Sequence, residues 1–167
     1  PGRRDIADVG TGSGAIAVSI AASIPDARIT ATDISASALA VADSNAHKHE
    51  VAERLQFMQC DLLPAGPGFD LICANLPYIP SETLRGLGVY DREPVLALDG
   101  GADGLDLIRR LLDLAADRLM PGGLMLLEIE ASQGMKAISL AFDRYAEAQI
   151  HLHRDLAGRD RLLEIAL

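Results

Sequence analysis

The stretch Gly10-Thr11-Gly12-Ser13-Gly14 constrains this chain more than any other. Residues 5–9 before it read as a short apolar strand. Residues 15–23 after it carry apolar side chains at helical spacing and stop before Pro25. The glycines permit a tight turn and let a ligand approach the backbone closely. The helix that follows presents N–H groups without intrahelical partners toward that ligand. Strand, glycine turn and helix together predict an α/β unit with a ligand site at its first turn.

The rest of the chain repeats the alternation. Residues 28–33 form a second strand ending in Asp33. Ser35 or Ser37 caps a helix over roughly residues 36–49. Residues 55–60 form a third strand ending at Asp61, a loop with Pro64, Gly66, Pro67 and Gly68 follows, and residues 69–74 form a fourth strand. Residues 79–103 are the least regular stretch, and a long loop in a compact domain is usually functional. Residues 104–120 read as an amphipathic helix with Leu105, Ile108, Leu111, Leu112, Ala115 and Leu119 on one stripe. Pro121-Gly122-Gly123 then turns into a fifth strand at 124–129, residues 132–145 form a helix, and 148–153 with 162–167 form a closing pair of strands around Gly158. The short connection makes that pair antiparallel. The sum is one domain over residues 1–167: a mostly parallel seven-stranded sheet with an antiparallel C-terminal edge and helices on both faces.

Composition narrows the function. The 167 residues are 49% hydrophobic, enough for a full core, yet no apolar run approaches a membrane span, and no secretory leader pattern is visible. The formal net charge of −9 argues against direct nucleic-acid binding and suits a small molecule or a protein partner. Cys60 and Cys73 fall in strands, and His47, His49, His151 and His153 form two surface H-x-H pairs; no spacing resembles a metal site. A reduced, cytoplasmic protein is expected. The chain opens at Pro1-Gly2 without methionine, as a piece of a longer protein would.

The glycine turn alone leaves two ligands open. Gly10-x-Gly12-x-x-Ala15 satisfies a dinucleotide fingerprint, and Asp33 stands at the interval of a ribose-binding carboxylate. That reading is an NAD-dependent oxidoreductase. Asp8, however, precedes the turn; a carboxylate there repels a pyrophosphate and attracts an ammonium or a sulfonium. Asp61 at the third strand end adds an acceptor for an adenine amino group. These three carboxylates favour S-adenosylmethionine. Asn75-Leu76-Pro77-Tyr78 follows the fourth strand: an amide with one acceptor and two donors, a proline-stiffened turn and a flat ring. The combination suits a clamp on a planar nitrogen, although Asn and Pro are also ordinary turn residues.

Several motifs occur in order: DVGTGSGAIA (8–17), TDIS (32–35), NLPY (75–78), EPVLALDGGADGL (93–105), PGG (121–123), LLEI (126–129) followed by Gln133-Gly134, and DLAGRDR (155–161). The set resembles the protein-(glutamine-N5) methyltransferases that modify peptide-chain release factors, along nearly all of the chain. The resemblance implies a Rossmann-like class I methyltransferase domain, S-adenosylmethionine as donor, and the glutamine of a Gly-Gly-Gln motif in a release factor as acceptor. Carried over by position, Asp8, Gly10, Thr11, Gly12, Ser13 and Gly14 cradle the methionine part of the cofactor. Asp33 with Ile34 takes the ribose, Asp61 with Leu62 flanks the adenine, and Asn75, Leu76, Pro77 and Tyr78 hold the substrate amide, with Asn75 also bordering the cofactor. No metal is implied.

Two departures stand out. The family turn is usually N-P-P-Y, and Leu76 replaces its first proline; N-L-P-Y also occurs in ribosomal-RNA adenine dimethylases, which keeps an adenine N6-methyltransferase open as an alternative, beside a non-catalytic cofactor-binding module. The family also carries an N-terminal helical domain ahead of the first strand, which is absent from this sequence and helps position the release factor.

Overall fold

The computed structural model describes residues 4–86 and 97–167. Its strands are β1 (Arg4–Val9), β2 (Ala27–Asp33), β3 (Leu55–Gln59), β4 (Phe69–Ala74), β5 (Leu119–Glu128), β6 (Gln149–Arg154) and β7 (Asp160–Ala166). Its helices are α1 (Ala15–Ser23), α2 (Ala36–Lys48), α3 (Ser81–Gly86), α4 (Asp106–Ala115) and α5 (Gly134–Arg144). The strands form one sheet in the order β3-β2-β1-β4-β5-β7-β6. β1 pairs in parallel with β2 and β4, β2 with β3 likewise, and β6 with β7 antiparallel. The alternation of strand and helix thus gives the sheet that it predicts, including the antiparallel edge.

The chain divides into two compact units. The first runs to Ala74 and takes in Asp117–Met125; the second comprises Asn75–Ala116 and Leu126–Leu167. In the first, β1 is the central strand, and Ile6, Ala7, Asp8 and Val9 are all buried in succession, as a parallel strand covered on both faces requires. Ile6, Ile29, Val18 and Val51 pack with Ala17, Ala21, Ala27, Ala31 and Ala46 into one cluster. The many alanines let helix and sheet approach closely, while each buried Ile or Val contributes roughly 1.5–3 kcal/mol. In the second unit, α4 buries Ile108, Leu111, Leu112 and Ala115, the i, i+3, i+4, i+7 stripe of an amphipathic helix. Leu163 and Ile165 of β7 and Ala137 and Ala141 of α5 are buried as well. The Tyr145 hydroxyl donates to the Leu112 carbonyl at 2.7 Å.

Four expectations are corrected. The helix expected over 104–120 ends at Ala115, and β5 begins at Leu119 with Pro121-Gly122-Gly123 inside it. The cause is long-range: the Phe69 N–H donates to the Arg118 carbonyl at 2.7 Å, and the Arg118 guanidinium donates to the carbonyls of Pro64 and Pro67 while lying 5.4 Å from the Phe69 ring centre. The helix expected over 132–145 is a 3-10 turn, Ala131–Gln133, followed by α5. β3 ends at Gln59, so Cys60 lies just beyond it. The irregular stretch 79–103 contains α3 and a parallel bridge between Ile79 and Asp99. Gly88, Pro94 and the first part of the 93–105 motif lie outside the described residues.

Candidate active site

In the first unit, β1 delivers Asp8 beneath the glycine turn. The turn closes through Gly14 N–H to the Thr11 carbonyl at 2.9 Å and is tied to β2 by Thr11 N–H to the Thr32 carbonyl at 2.8 Å. Gly10, Gly12 and Gly14 all have positive φ, the left-handed region in which glycine carries no steric cost. At Gly14 space matters too, since a Cβ would sit 2.9 Å from the Ala42 Cβ. The Asp8 carboxylate accepts from the Thr11 hydroxyl at 2.6 Å and from the Ala17 N–H at 3.0 Å, both through Oδ2. It therefore caps α1 from a distance, as Gly14 offers no capping side chain.

Asp8 is not an open strand-end carboxylate. It is 1% exposed, and its Oδ1 is buried without a hydrogen-bond partner. Burial raises its carboxyl above the ordinary value, with the Thr11 and Ala17 bonds opposing and the nearby Asp33 charge adding. Asp8 thus shapes the turn from beneath, and no route to solvent lets its oxygens meet a ligand as an open strand-end carboxylate would. The same carboxylate and burial push the Cys73 thiol up to about 12, with burial the larger cause, so Cys73 is inert.

Asp33, at the end of β2, holds the far side of the turn. Its Oδ2 accepts from Gly12 N–H at 2.9 Å and its Oδ1 from Ser35 N–H at 2.8 Å. Each carboxylate oxygen has a further lone-pair site available for a hydroxyl. Ser35 is the N-cap of α2, its hydroxyl accepting from Ala38 N–H at 3.2 Å, so of the two serines expected to cap this helix it is Ser35 that does. Ile34 beside it is half exposed, and Gln59 donates to its carbonyl at 3.0 Å. After β3, Leu62 adopts a φ of 63° and is buried; the buried Thr32 hydroxyl donates to its carbonyl at 2.7 Å. This fixes the bend that presents Asp61, which is exposed.

The first unit fits a cationic, ribose-bearing cofactor on three observations. A Cβ at Gly12 would meet nothing within 4 Å, so the turn leaves room for a group to approach its backbone. The buried Asp8 charge lies under that turn with one oxygen unpartnered. Asp33 is oriented by two backbone N–H groups with acceptor capacity to spare.

The second unit begins with Asn75, the residue after β4. Asn75 is exposed, and among the described residues none hydrogen-bonds its amide. Leu76 is 4% exposed, so the side chain that replaces the family proline anchors the turn by burial. Downstream the turn is stitched: Ile79 N–H donates to the Leu98 carbonyl at 3.0 Å, Gly100 N–H to the Ile79 carbonyl at 2.8 Å, and Ser81 N–H to the Gly101 carbonyl at 2.9 Å. Asp99 accepts from the Ser81 hydroxyl at 2.6 Å and from Gly101 N–H at 2.9 Å, bonds that lower its carboxyl below the ordinary value. Gln133, absent from the residues that sequence singles out for the site, is 5% exposed and donates to the Tyr78 carbonyl at 2.9 Å. Its signal in the sequence is the spacing Glu130-x-x-Gln133, that of a reciprocal helix cap, which the structure contains. Among the described residues no group of His, Cys, Asp and Glu could hold a metal ion.

Seven strands in this order, an antiparallel final pair and a glycine turn with a carboxylate at the end of the next strand define a class I methyltransferase fold. Solved structures agree: a methyltransferase from Pyrococcus furiosus matches with a TM-score of 0.69 at 19% identity, covering 99% of this chain and 75% of that one. A ribosomal protein L11 methylase from Lactobacillus delbrueckii subsp. bulgaricus matches with a TM-score of 0.65 at 26% identity, covering 98% and 68%. The methyltransferase small domain model matches residues 2–85, and the chain belongs to that family. Its curated relatives bear out the resemblance read from the motifs. The release factor glutamine methyltransferase of Moorella thermoacetica is 51% identical over 93% of this chain and 56% of its own length. The protein of the same name from Gloeobacter violaceus is 40% identical over 95% and 57%. The chain thus spans little more than half the length of these relatives. Family and fold imply use of S-adenosylmethionine.

Proposed function

We propose that this chain is the catalytic domain of an enzyme that methylates the side-chain amide nitrogen of a glutamine in a protein, the glutamine of the Gly-Gly-Gln motif of a peptide-chain release factor. The observation that carries this reading is an exposed Asn75 amide on a turn held from behind, in a chain whose relatives bear that enzyme's name. Bound S-adenosylmethionine supplies an electrophilic methyl on a sulfonium. Gly10 to Gly14 cradle its methionine part over the Asp8 charge, Asp33 and Ile34 take the ribose, and Asp61 and Leu62 flank the adenine.

An amide nitrogen is a weak nucleophile because its lone pair is delocalised into the carbonyl. Asn75 Oδ1 and the Leu76 backbone carbonyl accept its two N–H bonds, which fixes the nitrogen's direction and favours the positive charge that builds on it. Tyr78 covers the flat face of the amide. The surplus proton is shed after transfer, so no strong base is required. The Leu76 substitution preserves this chemistry, because a leucine carbonyl accepts as a proline carbonyl does. Release factors act in the cytoplasm, and no described helix is long and apolar enough to cross a membrane.

The test is labelled methyl transfer by the full-length protein, with release factor and ribosomal RNA offered side by side. Label on the Gly-Gly-Gln glutamine supports the proposal. Label on RNA alone replaces it with the adenine reading, for which the acceptor base has to be unstacked. Cofactor binding without transfer to either leaves a binding module. The formal charge of −9 favours the protein acceptor.

A further inference from the structure

We infer that Gln133 is a positioning residue for methyl transfer: its side-chain amide holds the Tyr78 carbonyl and thereby sets the 75–78 turn on which Asn75 works, an inference that rests on the acceptor role given to Asn75 above. A reciprocal helix cap needs only the oxygen of Gln133, which accepts from Glu130 N–H at 3.0 Å. The nitrogen is surplus to capping. It donates to the Tyr78 carbonyl at 2.9 Å and faces the Asp103 carbonyl at 3.4 Å. The orientation is forced, because the Glu130 N–H only donates and the two carbonyls only accept. At 5% exposure an unbonded amide would be costly, so these bonds persist.

The surrounding backbone is shaped to admit this contact. Gly104 has a φ of 79°, and a Cβ there would overlap both the Tyr78 carbonyl oxygen and the Gln133 amide nitrogen. A Cβ on Gly100 would lie 2.8 Å from the Pro77 carbonyl oxygen. Asp103, whose carbonyl faces the same amide, is itself held by Arg109 at 2.6 Å and Lys136 at 3.3 Å. The 3-10 turn before α5 and the loop before α4 therefore converge on the last two carbonyls of the turn, leaving its first residue, Asn75, exposed. Small displacements of a positioned group cost a large share of rate.

Gln133→Glu separates positioning from capping. Glutamate completes a helix cap as well as glutamine but cannot donate to the Tyr78 carbonyl when ionised. In the full-length protein with release factor as acceptor, Gln133→Glu should lower kcat about 10-fold or more, while cofactor Kd stays within about two-fold of wild type. Tyr145→Phe, which removes a buried hydrogen bond elsewhere in the same unit, serves as the stability control: it should lower Tm comparably and leave kcat within about two-fold. Independently of activity, the Tyr78 carbonyl carbon and the amides of Asn75, Leu76, Tyr78 and Ile79 should shift in the NMR spectrum of Gln133→Glu without cofactor, and those of residues 10–14 should not. A wild-type kcat in Gln133→Glu, an equal loss in Tyr145→Phe, or an unmoved Tyr78 carbonyl overturns the inference. If the wild-type protein transfers no methyl to release factor, the proposed function fails, and the NMR shifts alone decide whether Gln133 holds the turn.

Discussion

The glycine turn and the Asn75 turn both follow a parallel strand, yet they treat their polar groups in opposite ways. In the first, the carboxylates are engaged by the protein: Asp8 binds Thr11 and Ala17, and Asp33 binds Gly12 and Ser35. In the second, the backbone is held from behind by Gln133 and by residues 98–101, while the Asn75 amide has no hydrogen-bond partner among the described residues. The difference fits two tasks. A cofactor of fixed shape is best met by a turn already locked in its bound form. An acceptor amide needs a partner whose hydrogen-bonding capacity is unspent until the substrate arrives.

The largest effect is expected from the open side. Asn75→Ala should lower kcat by about 10²–10³, as loss of one transition-state hydrogen-bond partner does, with little change in cofactor Kd. A comparable fall in cofactor affinity would erase the contrast between the two turns. Asp33→Ala should do the reverse, weakening S-adenosylhomocysteine binding by roughly 1.5–3 kcal/mol in calorimetry, the range for hydrogen bonds to a charged group. Unchanged affinity would remove Asp33 from the ribose.

Asp8→Asn gives a smaller and two-sided effect. The raised carboxyl of Asp8 means that its ionised form is disfavoured in the folded state, a cost present above its folded pKa and relieved as pH falls through it. The neutral isostere should therefore show a melting temperature less dependent on pH and bind the sulfonium cofactor several-fold more weakly. An unaltered pH dependence together with unchanged binding would mean that the charge has no part in the site.

The smallest effect concerns the brace behind the Asn75 turn. Hydrogen bonds from Arg109 hold the Asp103 carboxyl well below the ordinary carboxylate range. Its contribution to stability is thus full above the unfolded value of about 4 and is lost as pH falls toward the depressed folded value. Asp103→Asn should leave the melting temperature less dependent on pH below about 4, with little change at neutral pH. An unaltered acid limb would show that this ion pair is silent.

The two turns also differ in how far the sequence discloses them. β1, the glycine turn, α1 and Asp33 are legible because a switch in hydrophobic period and the glycines are local signals, and α1 falls at the residues expected, Ala15–Ser23. The Ser35 cap is local as well. The burial of Asp8 is not, because nothing within residues 5–9 tells that β1 is an interior strand. The brace behind Asn75 is hidden for a related reason: a polar residue in the first turn of a helix reads as exposed, and only the fold brings Gln133 to Tyr78, 55 residues away in the chain. β5 is obscured in the same manner. The apolar stripe of α4 continues through Leu119, and Pro121-Gly122-Gly123 reads as a break, until contacts from Phe69 and Pro67 draw Arg118 toward the sheet.

Whether Asn75 works by accepting a hydrogen bond from the substrate amide is decided most directly by single-turnover methyl transfer to release factor by Asn75→Asp and Asn75→Ala. Aspartate keeps the acceptor oxygen and nearly the same shape while losing the amide donors. The aspartate variant should retain clearly more activity than the alanine variant at equal cofactor saturation. Equal inactivity of the two would mean that Asn75 acts as a donor, and wild-type rates in both would reduce the 75–78 turn to a structural element.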